Sequence, residues 1–157
     1  MRIIGIDPGT GILGFGVIDS HRNITTMVDA GVVRTRVHQP LDERLVEIYE
    51  SLQEIIAATK PEAMAIERLF FAQNVTTAMS VAHARGVAML AGKQAGLTIH
   101  EYTPLQIKQT MTGYGRATKK QIQEMVRIQL KLAVAPEPDD CADALAAAIM
   151  HAMTIRL

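Results

Sequence analysis

An α/β domain built on a five-stranded mixed sheet flanked by helices is predicted by three features of the chain. Branched apolar runs end abruptly at turn residues near the N-terminus, as in RIIGIDPG. A long helical stripe then separates two such runs. The 157 residues, 48% hydrophobic, suffice for one well-buried domain and are too few for two large ones.

Each element follows from local chemistry. Ile3, Ile4 and Ile6 favour a strand that Pro8-Gly9 must break, which leaves Asp7 at its carboxyl end. Gly14 to Ile18 read as a second strand, with Gly9 to Leu13 as the tight turn before it. A third strand lies within Ile24 to Thr35 after a hairpin signal at His21 to Asn23, completing an antiparallel meander. The period then changes. Leu41, Leu45, Ile48, Leu52 and Ile55 recur at helical spacing, and Lys60-Pro61 ends that helix. The run AMAIE is a short buried strand ending at Glu67.

Strand, crossover helix and strand favour parallel pairing, so Asp7 and Glu67 are expected on one edge of the sheet. Further on, a helix spans about Val75 to Ala95, a fifth strand Thr98 to Tyr102, and a helix starts at Thr103-Pro104 and breaks at Gly113-Tyr114-Gly115. Thr118 and Gln121 form a capping box for a helix running to about Leu132. A last helix opens DDCADALAAA, with Asp139 as its cap. No repeat or linker divides the chain, so residues 1–157 read as one unit.

Composition restricts the function classes. The longest apolar runs are short and no basic region precedes a hydrophobic stretch, so a membrane span and a signal peptide are not expected, and a cytoplasmic protein is. Cys141 is the only cysteine, which leaves no internal disulfide and no multi-cysteine zinc site. The net charge is zero, but Leu105 to Leu132 carries Lys108, Arg116, Lys119, Lys120, Arg127 and Lys131 against Glu124 alone. That local excess suits a polyanion. The five histidines show no ligand-like spacing.

Asp140 and Asp143 are spaced i, i+3 and share one face of the last helix's first turn. Joined to Asp7 and Glu67 they make an oxygen-only donor set that suits magnesium or manganese and, with two ions, phosphodiester hydrolysis. Gly9, Gly11 and Gly14 also spell a dinucleotide fingerprint, but a strand follows where that fingerprint needs a helix. Aspartate before a glycine turn and hairpin also resembles the first phosphate loop of actin-like and sugar kinases.

The segments GIDPG…GFGV, AIERLFFAQN, ARGVA and DCADALA, in this order over nearly the whole chain, resemble the RuvC-type Holliday junction endonucleases. The resemblance implies a ribonuclease H-like fold, a homodimer, magnesium or manganese, and symmetric nicks in four-way DNA junctions. It implies that Asp7, Glu67, Asp140 and Asp143 are the metal-binding catalytic acids. Lys108 and Lys119, with Lys120 and Arg116 beside them, fall among the basic positions expected near DNA, and Phe70 is expected to stack on a base at the junction centre, with Phe71 left to packing. A small-residue stripe of Ala78, Ala82 and Gly86 is the expected dimer contact. The branch-migration proteins RuvA and RuvB are the further partners implied. A non-catalytic junction-binding module is the alternative, ahead of the kinase-type phosphate loop. Leu13 departs from the threonine expected before Gly14, and Asp139 doubles the acid at Asp140.

Overall fold

A computed structural model describes residues 1–69 and 75–155. Five strands, β1 (Arg2–Asp7), β2 (Ile12–His21), β3 (Ile24–Arg34), β4 (Ala63–Glu67) and β5 (Thr98–Tyr102), form one sheet in the order β3-β2-β1-β4-β5. The meander β1-β2-β3 is antiparallel, while β4 runs parallel to both β1 and β5. The mixed sheet is the expected one. Its second strand starts two residues earlier than the sequence suggests, because Ile12 pairs with Arg34 across the ladder.

The β2–β3 turn places Arg22 and Asn23 at positive φ (45° and 69°), as a two-residue hairpin of matching twist requires. The helices are α1 (Leu41–Thr59), α2 (Val75–Gln94), α3 (Pro104–Thr112), α4 (Lys119–Gln129) and α5 (Asp139–Thr154). Thr103 with Gln106, and Thr118 with Gln121, close reciprocal capping boxes at the starts of α3 and α4. Helix α4 ends three residues earlier than expected, where Lys131 turns left-handed (φ 55°) and the Leu132 amide closes on the Arg127 carbonyl.

Strand alternation divides the core. Ile4, Ile6, Met64 and Ile66 face α1 and α2, packing with Ile48, Leu52, Ile56, Ala84 and Ala88. Ile3, Ile18 and Ala65 face α3, α4 and α5, with Ile107, Ile122, Val126 and Leu145. Each fully buried Ile or Leu contributes roughly 1.5–3 kcal/mol. By the same alternation Asp7 and Glu67 share the face of Ile3 and Ala65, the one that α5 covers.

Helix α5 lies unusually close to that face. A Cβ added at Gly5 would stand 1.9 Å from the Ala144 carbonyl oxygen, and one at Gly14 would stand 2.1 Å from that of Asp140. Glycine is needed at both positions because helix backbone occupies the space where a side chain would begin. Its closeness carries the first turn of α5 to the end of β1. No described helix is long and apolar enough to cross a membrane.

Candidate active site

The parallel pairing of β1 with β4 places Asp7 and Glu67 at the same edge, and the docking of α5 brings Asp143 to them. Asp7, Glu67 and Asp143 line one cavity of about 300 Å³ together with Lys108, Lys119, Pro104, Ile107 and Ile122. Residues from two strand ends and three helices thus meet at one place, since Lys108 comes from α3 and Lys119 from the first turn of α4. Asp7, Glu67 and Pro104 also line a neighbouring cavity with Pro8, Arg68, Leu69 and Val81.

The electrostatics are those of carboxylates held together out of water. Burial, then the charges of Asp143, Glu67 and Asp140, push the Asp7 carboxyl up to about 8 against the pull of Lys119. Glu67 is raised by burial and by Asp143, with Lys108 and Lys119 opposing. Asp143 is raised by burial as well, opposed chiefly by Lys119. A group of acids that disfavour their own charge is a site for an added cation, and its all-oxygen composition selects hard ions. Among the described residues no three His, Cys, Asp or Glu side chains close into a ready single-ion cage. Lys119 supplies local positive charge beside them, 3.8 Å from Asp143.

Lys119 Nζ lies 2.9 Å from Asp139 and 3.8 Å from Asp143. This corrects the expected role of Asp139. The N-cap of α5 is Pro138, which makes no side-chain capping bond, and Asp139 accepts a hydrogen bond from Lys119, whose ammonium holds its carboxyl below the usual range. Asp140 does not line the cavity, although its charge is felt by both Asp7 and Asp143. Lys120 and Arg116 are exposed and stand outside the cavity lining, so of the two adjacent lysines Lys119 is the one at the acids.

The remaining candidates divide. Phe70 and Phe71 lie outside the described residues. Ala82 and Gly86 are exposed on α2, but Ala78 is buried, so the expected three-residue stripe is corrected. The outward face instead carries Val75, Met79, Ala82, Gly86 and Leu90, which recur at helical spacing. Cys141 is buried and faces a different cavity, with Met27, Ala30 and Leu132. His151, read from the sequence as structural or solvent-facing, is buried, receives or donates a 2.7 Å hydrogen bond through Nδ1 with the Tyr102 hydroxyl, and stacks on His100.

Gly5 and Gly14 are docking positions for α5, a role that the strand and turn patterns around them do not show. ARGVA likewise shows no role for Arg85 from sequence, although its guanidinium reaches the end of β4. The signal for the glycines was present: glycine on a strand between branched residues marks a close backbone approach.

The family model of the crossover junction endodeoxyribonuclease RuvC matches residues 3–151. The RuvC of Desulfitobacterium hafniense is 52% identical over 157 residues, covering 100% of this chain and 95% of the relative. That of Chloroflexus aurantiacus is 50% identical over 154 residues, covering 98% and 94%. The structure of Thermus thermophilus RuvC in complex with Holliday junction substrate superposes with a TM-score of 0.93 at 37% identity, covering 99% of this chain and 95% of that one. The ribonuclease H-like sheet is therefore that of known relatives, and the chain belongs to the RuvC family of crossover junction endodeoxyribonucleases.

Proposed function

We infer that the protein is a metal-dependent endonuclease that resolves Holliday junctions by hydrolysing phosphodiester bonds in paired nicks. The observation that carries this reading is the cavity shared by Asp7, Glu67, Asp143, Lys108 and Lys119. Acids and bases meet there as a site for divalent cations beside a site for phosphate.

Asp7, Glu67, Asp140 and Asp143 are the residues that would hold magnesium or manganese, two ions per site in this reading. Bound there, such ions supply a water that is nucleophilic at neutral pH and positive charge for the leaving oxygen. The chain's own residues do the rest. Asp7 and Glu67, fixed on paired strands, set the spacing of the donors, and the buried walls at Ile107 and Ile122 keep bulk water from the floor. Lys108 and Lys119 present charge to the phosphate. Lys119 exchanges Asp139 for DNA at little cost, since their contact is a solvent-exposed ion pair. Arg116 and Lys120 extend the basic surface for backbone contacts farther along the strand.

One such cavity cuts one strand, and resolution needs two matched cuts. A homodimer through the outward face of α2 supplies the second site by twofold symmetry. The support is the exposure of Val75 (65%), Met79 (55%) and Leu90 (52%) on one side of one helix. Phe70 keeps its proposed role at the junction centre by the family resemblance, as do RuvA and RuvB as partners at the same substrate. A DNA substrate is consistent with a cytoplasmic setting.

The test compares a synthetic four-way junction with a linear duplex of the same sequences, each end-labelled, in magnesium. Paired nicks confined to the junction support the reading. Equal cutting of both, or binding without any cutting in magnesium or manganese, contradicts it.

A further inference from the structure

Glu67 is the last residue of β4, where the ladder stops giving the backbone its partners, and its carbonyl oxygen is bonded from outside the sheet. Arg85 on α2 donates Nε–H to that oxygen at 3.2 Å. The other arm of the same guanidinium, through Nη2, is paired with the Glu101 carboxylate on β5, and Glu101 also stands 3.8 Å from Arg68 Nε. Arg85 is well enclosed for a charged side chain, with 18% of it exposed. One planar fork therefore ties the main chain at a proposed catalytic acid to the neighbouring strand.

The same helix grips the other acid-bearing strand end. Ser80, five residues before Arg85, shares a hydrogen bond with the buried Thr10 hydroxyl in the turn that follows Asp7. The carbonyl of Thr10 is in turn held at 2.5 Å by Thr35, whose hydroxyl accepts from Arg44. Both anchors of α2 land within three residues of Asp7 or Glu67, and neither uses the carboxylates themselves.

We propose that Arg85 is a positioning residue for the nicking reaction: its fork fixes the end of β4, and with it the placement of the Glu67 carboxylate. The inference rests on the assignment of Glu67 to the acid cluster. A guanidinium suits the task because two donors in a rigid plane fix direction as well as distance, whereas an ammonium holds one acceptor at a time. Misplacing a donor carboxylate by a fraction of an ångström slows chemistry while leaving DNA binding in place.

The test uses the full chain with Arg85→Ala, Arg85→Lys and Glu101→Gln. Single-turnover nicking of a four-way junction in manganese, junction affinity without divalent metal, and amide exchange along β4 are measured together. The expected result is a nicking rate at least about tenfold lower for Arg85→Ala, with affinity within about twofold. Exchange at Arg68, whose amide donates to the Tyr102 carbonyl, should accelerate while α1 stays protected. Arg85→Lys and Glu101→Gln should show smaller losses in the same step, which keeps the test decisive if Arg85→Ala does not fold.

Wild-type nicking by Arg85→Lys and Glu101→Gln overturns the proposal. So does a loss of affinity with a flatter salt dependence, which would make Arg85 a DNA contact, and so does exchange accelerated throughout the chain, which would make it a general stabiliser. Glu67→Gln in parallel separates the two ideas. If it nicks normally the acid assignment fails, whereas an inactive Glu67→Gln beside fully active Arg85 variants removes only the brace.

Discussion

Asp7 and Gly14 face each other across the β1–β2 ladder, and the Asp140 carbonyl oxygen lies 2.1 Å from where a Gly14 Cβ would be. The acid on β1 and the helix carrying its partners thus meet over a position that admits no side chain. Gly14→Ala should displace the first turn of α5, cost about 1–3 kcal/mol as overpacking, and reduce nicking by much more than the lost stability explains. Urea unfolding beside single-turnover nicking checks this. A variant that loses stability but nicks normally would show that the closeness of α5 serves packing alone.

Gly86 presents the opposite case. It lies within α2, is exposed, and an added Cβ would meet nothing within 4 Å in its own chain. Glycine in a helix interior costs about 0.8–1 kcal/mol relative to alanine, so Gly86→Ala should raise the stability of the chain's own fold. Gly86→Glu should improve helix propensity too, yet place charge on the apolar face of Val75, Met79, Ala82 and Leu90. Sedimentation should then show monomer where the parent is dimeric, with circular dichroism unchanged. A dimeric Gly86→Glu would move the interface off this helix.

Lys119→Ala removes the cation between Asp139 and Asp143 and, on the junction, a phosphate partner. The slope of log affinity against log salt should fall by about one, with a slower nicking step. Lys120→Ala, outside the cavity, should reduce the slope without affecting chemistry. Equal nicking losses from the two would mean that the cavity does not distinguish them.

His151 gives stability a pH dependence. Its pKa is lowered from 6.5 to about 4 by burial and by His100, so the folded state holds the ring neutral where the unfolded chain would protonate it. Its contribution is complete above about pH 6.5 and declines as pH falls towards 4, a total of about 3 kcal/mol. Unfolding free energies of the parent and His151→Gln, compared across that window, should converge on acidification. Parallel curves would show that the ring does not titrate with folding.

The sequence makes legible whatever repeats a local rule. Branched runs, the stripe from Leu41 to Ile55 and the two capping boxes define the elements, and the strand-helix-strand unit by itself puts Asp7 beside Glu67. What stayed hidden depends on which surfaces meet. Asp139 reads as a cap by composition, yet α4 brings Lys119 to it and the cap falls on Pro138. Ala78 looks like part of a contact stripe, but its azimuth turns it inward. Arg85 acts on a main-chain carbonyl, and no residue pattern records that partner.

In the proposed reaction the acids at the paired strand ends perform the chemistry and do not hold the DNA. This is tested most directly by Asp7→Asn and Glu67→Gln, each nearly isosteric, assayed on one end-labelled four-way junction for binding without divalent metal and for nicking with magnesium. Each variant should bind within about threefold of the parent and nick at least about a thousandfold more slowly. Nicking at the parent's rate by either folded variant would contradict it.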